Sequence, residues 1–340
     1  MRFLHTADVH LAAPLTGAPY RGRVRRGALD ALRGLIAYAR MQGVETVLIA
    51  GDLFDSPHPD RAAAGAALEL IRQAENIKFI LAAGNHDPLT SAGYCGLRLP
   101  DNIHLLGSEP EIVPVAGGAV VGVSFTGSEI PPELPDCPGE RVGLIHGDLA
   151  PTDAFVLSED WVRRTGVSYL AMGHIHKKYQ KQIGRTLCAM PGSLTAHGFD
   201  ECGGRSFYDV RIEDGQVRCD GVPAEGCFFY EEIVSAEDAD AAELAGRLTL
   251  AANSHREQDI VRLRVTGQTA LALPTFLDDA PQVTEIIDET ELPLDLEALR
   301  AQPTLKGRFT AYMLARAAAE PEKRALYEAA LRRGLEAFDK

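Results

Sequence analysis

Cysteine is the first scarcity. The 340 residues hold six, Cys95, Cys137, Cys188, Cys202, Cys219 and Cys227, and no two of them form a CxxC pair. That is too sparse for a disulfide scaffold, and a reducing cytoplasm is the simplest compartment. Long apolar runs are also missing. No stretch approaches the roughly 18 residues of a membrane span, so no membrane association is expected. The opening MRFLHTADVH reaches an Asp and two His within ten residues, which is not the apolar core of a secretory signal. Internal repeats are absent, and low complexity is limited to alanine-rich helical stretches. An excess of basic charge is lacking too. The net charge of −14 argues against strong unaided binding of nucleic acid.

What remains is globular material. With 46% apolar residues the chain can bury a core, and its length suggests roughly two domains. The acidity is local. Residues 201–300 carry 8 Lys/Arg against 22 Asp/Glu, whereas residues 1–200 carry 18 against 21 and residues 301–340 carry 8 against 5. A phosphate-bearing substrate is therefore not excluded, and bound cations would reverse the sign locally.

Over the first two hundred residues, short apolar runs alternate with helical patterns. MRFLHT, ETVLIA, KFILAA, RVGLIH and VSYLAM read as buried strands. Leu29, Leu32, Ile36 and Ala39 recur at helical spacing, with Gly43 placed to cap the helix end. A second helix runs through Ala66, Leu70 and Gln73, and Ser158 caps a short one. Gly117–Gly118 and Asp214–Gly215 are hairpin signals. From about residue 223 the strands YEEIVS, DIVRLRVTG and VTEIIDET flank an acidic helix, and two helices follow Leu305. The expected division is 1–222, 223–300 and 301–340.

Five polar clusters interrupt this pattern, each at the end of an apolar run. They are Asp8-Val-His10, Gly51-Asp52-Leu-Phe-Asp55, Gly84-Asn85-His86-Asp87, Ile145-His146-Gly147 and Gly173-His174-Ile-His176. Such strand ends line the ligand crevice of an α/β sheet. Strand alternation would let Asp8 and His10, and likewise His174 and His176, converge on one centre. Any one cluster alone reads as a cap or turn. The four residues of GNHD after a buried strand have no packing rationale, and all five clusters together point to chemistry. Carboxylate, imidazole and amide donors without thiolate suit Mn²⁺, Fe²⁺ or Zn²⁺. Asp8, His10, Asp52, Asn85, His146, His174 and His176 make seven ligands, too many for one ion. With Asp52 bridging, they suit a pair that clamps both oxygens of a phosphoryl displacement.

The order of these motifs resembles the calcineurin-like metallophosphoesterases. FLHTADVHL, LIAGDLFDS, GNHDP, MGHIHKKY and MPGSLTAHGFDECG resemble the SbcD/Mre-type DNA repair exonucleases, nearest their bacterial YhaO-like branch. The resemblance covers residues 1–220 and is weaker beyond, where it rests on layout and TLKGRF. It implies a four-layer αββα sandwich with a small α/β capping domain and C-terminal helices. It also implies that Asp8, His10, Asp52 and His176 hold one ion, and that Asp52, Asn85, His146 and His174 hold the second, with Mn²⁺ the first choice. His86 would be the catalytic histidine acting on the leaving oxygen. Asp55 occupies a position where relatives carry Asp or His, and its carboxylate would orient His86. Ala12-Ala13 departs from the acidic residue and Ser of close relatives, which puts local substrate contacts in question.

Other residues are weighed against blander roles. His5 reads as a satisfied core side chain, and His104 and His255 have no partner motif. His58 and His197 are candidates for the rim of the cleft. Arg21, Arg23, Arg25 and Arg26 suit a solvated helix start as well as a phosphate contact. Lys177 and Lys178, just after GHIH, are better placed for a polyanion. The resulting expectation is a metal-dependent DNA exonuclease or endonuclease acting in repair. DNA and an SMC-like coiled-coil ATPase are its partners, and a homodimer its assembly. A small-molecule phosphodiesterase or phosphatase is the alternative, and retention of every ligand argues against a non-catalytic adaptor. The C-terminal stripes Leu305, Phe309, Tyr312, Arg316 and Tyr327, Leu331, Leu335, Phe338 would either pack on the chain or dock the ATPase.

Overall fold

Apolar runs become strands buried on both faces, and the helical stripes become the layers that cover them. The computed structural model describes residues 1–12 and 20–338. The chain opens with β1 (Arg2–Thr6), α1 (Arg21–Gln42), β2 (Thr46–Ala50), α2 (Arg61–Arg72), β3 (Lys78–Ala82), α3 (Ala92–Cys95) and β4 (Ile103–Leu105). A run of strands follows: β5 (Glu111–Val115), β6 (Gly118–Gly122), β7 (Arg141–Asp148) and β8 (Phe155–Val156). Then come α4 (Glu159–Thr165), β9 (Tyr169–Gly173), β10 (Tyr179–Ile183), β11 (Thr186–Met190), β12 (Ser206–Glu213) and β13 (Gln216–Pro223). The remainder is β14 (Phe229–Ser235), α5 (Ala241–Asn253), β15 (Ile260–Gln268), β16 (Val283–Glu291), α6 (Leu296–Arg300), α7 (Leu305–Ala319) and α8 (Arg324–Phe338).

Two sheets form the body. One has six strands in the order β13-β12-β1-β2-β3-β4, and the other runs β10-β11-β9-β7-β6-β5 with β8 beside β7. Period-two alternation separates their faces. Phe3, Leu48 and Ile80 of the first sheet meet Val142, Leu144 and Tyr169 of the second in one apolar layer. Leu4, Val47 and Phe79 face the other way, onto Leu32 and Leu35 of α1 and Leu68 of α2. On the outer face of the second sheet, Ile145, Leu170 and Met172 pack with Trp161 and Val162 of α4. This is the αββα sandwich that the motif order implies. His5, wholly buried, bonds Tyr169 Oη at 2.7 Å and Met172 O at 3.2 Å, so it is the packed core residue expected.

Several local signals hold. Gly43 caps α1 in the left-handed conformation, and Ser158 accepts from Trp161 N at the start of α4. Asp214 and Gly215 form the two-residue turn between β12 and β13. The other hairpin is displaced by one residue. Val115 pairs with Gly118, so Ala116–Gly117 is the turn and Gly118 belongs to β6, where the Glu140 carbonyl leaves no space for a side chain.

The chain divides into two compact units. The first comprises Met1–Glu232, Thr249–Leu263 and Thr275–Ile286, and the second Ile233–Leu248, Arg264–Pro274 and Ile287–Lys340. Strands β14, β15 and β16 form a three-stranded sheet in that order. In the second unit α6, α7 and α8 share a small core of Met313, Leu331 and Leu335, flanked by Leu296, Leu299, Phe309, Leu314 and Tyr327. Of the stripe expected on α8, Leu331 and Leu335 are interior to a helical hairpin and Tyr327 flanks them, whereas Phe338 is 42% exposed. The stripe expected on α7 is displaced: Leu305 and Tyr312 are exposed, and Gly307, Thr310, Met313 and Ala317 form the buried row. No helix of the described residues is long and apolar enough to cross a membrane.

Candidate metal centre

Strands β1, β2 and β3 run parallel, as do β7 and β9, so their C-terminal ends bring all five polar clusters to one edge of the body. The chain after β1 lies alongside the chain after β2: Asp8 N donates to Gly51 O at 3.1 Å and His10 N to Asp52 O at 3.0 Å. Convergence does not come from strand alternation. β1 stops at Thr6 and β9 at Gly173, and Asp8, His10, Asp52 and His174 have φ of +49°, +48°, +49° and +116°. These are left-handed conformations that L residues avoid, stored where side chains must be aimed. Gly51, at φ +92°, has no room for a Cβ, which would run into the His146 ring; at Gly84 a Cβ would meet the Asp52 carboxylate.

The first half of the cluster contains Asp8, His10 and His176, whose ligand atoms lie within 4.8 Å of one another. His10 Nε2 and His176 Nε2 are 3.1 Å apart. His176 Nδ1 is bonded to the Glu201 carboxylate, so its proton points outward and Nε2 presents a lone pair inward. The second half contains His146, Asn85 and His174. His146 Nδ1 donates to Ala50 O at 2.9 Å, which leaves its Nε2 bare, 2.9 Å from Asn85 Oδ1. Asn85 Oδ1 is also 3.3 Å from His174 Nδ1. Asp52 joins the halves. Its Oδ1 accepts from His86 N at 2.9 Å, and its Oδ2 lies 3.9 Å from His10 Nε2 and 3.5 Å from His146 Nε2. Asp8 also borders both halves, 3.9 Å from His146 Nδ1, and both its oxygens accept from His174 N.

Ring nitrogens and an amide oxygen aimed at one another across these short gaps suit a shared cation. Two donors bound at about 2.1 Å and at right angles to one ion stand about 3 Å apart, matching the 2.9–3.3 Å spacings seen here. Asp8 and Asp52 are 0% and 1% exposed, and among the described residues their ion pairs are with histidines only. Buried carboxylates demand a compensating charge. Burial raises the Asp8 carboxyl against the pull of His146, whereas at Asp52 the same burial is overcome by His146, His10 and His86, and the carboxyl stays below its ordinary range. The donor set fits divalent cations of the Mn²⁺, Fe²⁺ or Zn²⁺ type.

The remaining sequence candidates separate. His86 is exposed on the wall of a cavity of about 510 Å³ that Asp52, Asn85, His174 and His176 also line. Its Nδ1 lies 3.1 Å from the backbone carbonyl of Asp55, not from the Asp55 carboxylate. That carboxylate faces His10 Nδ1 at 3.5 Å and His197 Nδ1 at 3.9 Å, and the Asp55 backbone is tied to the loop after β1 by Asp55 N donating to Leu11 O at 3.1 Å. Lys177 lines the cavity, whereas Lys178 lies over the Tyr208 ring at 5.1 Å and does not. His197 packs on His10 with ring centroids 4.8 Å apart, and burial pushes its pKa down to about 3. His58 is exposed and outside the cavity. Arg23 donates to Asp259 O and Pro281 O, and Arg25 pairs with Asp60. Ala13 lies outside the described residues.

Sequence reasoning missed five residues. Glu201 holds His176, and although burial works to raise its carboxyl, His176 brings it down to about 2. Arg205 donates to His176 O at 3.1 Å. Asp153 lies 3.1 Å from His174 Nε2, and Thr152 is bonded to the same nitrogen. Asp87 ties the GNHD turn down by accepting from Gly84 N and Phe54 N, and burial followed by Asp52 raises its pKa to about 7. Only Asp87 and Glu201 lie within motifs quoted from the sequence.

Residues 1–178 match the family described as calcineurin-like phosphoesterase. The uncharacterized metallophosphoesterase YhaO of Bacillus subtilis is 24% identical over 336 residues, covering 91% of this chain and 79% of that protein. The SbcD component of nuclease SbcCD from the same organism is 27% identical over 60% of this chain and 64% of its own length. The DNA double-strand break repair protein Mre11 of Methanosarcina mazei is 24% identical over 80% of this chain and 46% of its own length. The chain thus spans less than two thirds of the last two. Among solved structures, a dimetal phosphatase from Danio rerio is similar with a TM-score of 0.45 and 15% identity, over 66% of this chain and 96% of that one.

Proposed function

The chain belongs to the calcineurin-like phosphoesterase family, and from that premise we propose that it is a dimetal phosphodiesterase acting on DNA in repair. The observation that carries this reading is the convergence of seven nitrogen and oxygen donors, Asp52 among them, at one edge of the body, with His86 on the wall of the same cavity. Asp8, His10, Asp52 and His176 would hold one ion, and Asp52, Asn85, His146 and His174 the other, with Mn²⁺ as the proposed metal. Such a pair supplies charge to the phosphate oxygens and acidifies water. The protein's own side chains do the rest. Gly51 and Gly84 let the loops close on His146 and Asp52, and the Asp52 backbone and carboxylate fix where His10 and His86 begin. His86 Nδ1 donates to Asp55 O, so the ring would serve the leaving oxygen through Nε2 as the imidazolium, giving up the Nε2 proton and keeping the one on Nδ1. Lys177 at the cavity wall suits a phosphate of the substrate.

The DNA assignment is supported by the named activities of SbcD and Mre11 relatives. By the same likeness, the partner would be an SMC-like coiled-coil ATPase. Leu305, Tyr312 and Leu326, apolar and exposed on α7 and α8, would supply the docking contacts rather than Leu331 and Leu335. One feature favours the alternative of a small phosphodiester or monoester substrate: Asp153, Asp200 and Glu201 line the cavity, and like charge opposes a long polyanion. Linear DNA with Mn²⁺, run beside a chromogenic phosphodiester, separates them. Cleavage of both supports the nuclease. Hydrolysis of the small ester with intact DNA supports the alternative, and no hydrolysis of either overturns both.

A further inference from the structure

We infer that Glu201 is a positioning residue that, with Arg205, aims His176 at the first ion; the inference rests on the dimetal reading above. Glu201 follows Ser193 and His197 on the segment leading to β12, and its side chain is 10% exposed. Both oxygens are committed. Oε1 bonds His176 Nδ1, while Oε2 accepts from His197 N at 3.1 Å, from Ser193 Oγ at 3.3 Å and from Arg205 at 3.3 Å. Arg205 reaches further, donating to His176 O at 3.1 Å and to the backbone carbonyl of Glu201. His176 is therefore gripped at two points, through its outer ring nitrogen and through its own carbonyl. A carboxylate on Nδ1 can only accept, so the ring proton stays on Nδ1 and Nε2 is left as the lone pair that faces His10 Nε2 at 3.1 Å.

The competing account is that Glu201 merely ties its loop together through His197 N and Ser193 Oγ. The two accounts differ in what Glu201→Gln does. A glutamine amide oxygen can still accept from His197 N, so the loop keeps a bond, but the charge that fixes the His176 tautomer is gone. Metal binding is read by calorimetry with Mn²⁺ and by the absorption spectrum of Co²⁺. The His176 tautomer is read by nitrogen NMR of the metal-free protein. Wild type is expected to bind two ions with His176 protonated at Nδ1. In Glu201→Gln one ion weakens about 10- to 100-fold, the other is unchanged, and the tautomer signal becomes mixed, with thermal unfolding of the metal-free chain unaltered. Glu201→Asp should recover part of the affinity. Wild-type affinity for both ions in Glu201→Gln, or equal loss of both with a lowered unfolding temperature, overturns the inference and leaves the dimetal reading standing. A wild-type chain that binds no ion overturns both.

Discussion

Two pairs of buried carboxylates in the body of this protein make a contrast. Asp209 and Asp259, 3% and 1% exposed, each lie against an arginine, Arg2 and Arg256, at 2.7 Å. Asp8 and Asp52 are as deeply buried but face histidines alone. The chain's own arginines neutralise the first pair, whereas the second pair and its histidines form groups that could hold a metal ion. The helical hairpin offers a third case. Among its described residues no charged side chain is buried, so α7 and α8 are held by apolar packing.

The sharpest way to break the contrast is at Asp52. Asp52→Ala should weaken both ions and lower hydrolysis roughly a thousandfold or more, whereas His10→Ala should weaken chiefly one. Calorimetry and elemental analysis decide it, and equal metal loss in the two variants would count against a bridge. His86→Ala probes chemistry without touching the donors. It should keep both ions yet lose ~10²–10⁴ in turnover, less for substrates with good leaving groups. Metal loss in that variant would assign His86 a different role.

The hairpin should respond in stability instead. Leu331→Asp with Leu335→Asp is expected to cost its packing about 3–5 kcal/mol or more, seen as lost hydrogen-exchange protection over residues 305–338. Mn²⁺-dependent hydrolysis of a small phosphodiester should persist; its disappearance would make these residues part of the catalytic body's support. Smallest is the arginine-paired carboxylate. Burial works against Asp209, but Arg2 and Tyr38 hold its carboxyl below the ordinary range, so it stabilises the fold above the unfolded pKa of about 3.9 and that contribution fades as pH falls. Arg2→Met should cost about 1–3 kcal/mol near neutral pH and flatten the acid side of the stability profile. An unchanged profile would mean that Arg2 does not stabilise the ionised carboxylate.

Much of this was legible in the sequence because polar residues at the ends of buried strands have nothing to pack against. DVH, GDLFD, GNHD, IHG and GHIH could be placed at one edge from that fact alone. The way they converge could not. Left-handed residues leave no periodic trace, so strand alternation looked sufficient for Asp8 and His10. Asp153 lies on an irregular segment and Glu201 at the end of a single 3₁₀ turn (Phe199–Glu201), where spacing carries little directional information. On α7 the error has another cause. Gly307 fits against the carbonyls of Leu299 and Gln302, and with Thr310 it forms the close-packed side, leaving the larger Leu305 and Tyr312 outside. A search for large apolar residues finds the wrong face of a helix that packs through small ones.

The left-handed backbone at Asp8, His10, Asp52 and His174 has a consequence for how metal is acquired. Each such residue costs about 1–3 kcal/mol, a strain held where the donor side chains are aimed. An ion bound by the folded chain and not by the unfolded one returns its binding energy to the folded state as RT ln(1 + [M]/Kd), against that strain. The unfolding temperature should therefore climb with the logarithm of Mn²⁺ concentration while the far-ultraviolet spectrum of the folded chain stays constant. Metal availability would then set how long a molecule survives without altering its shape.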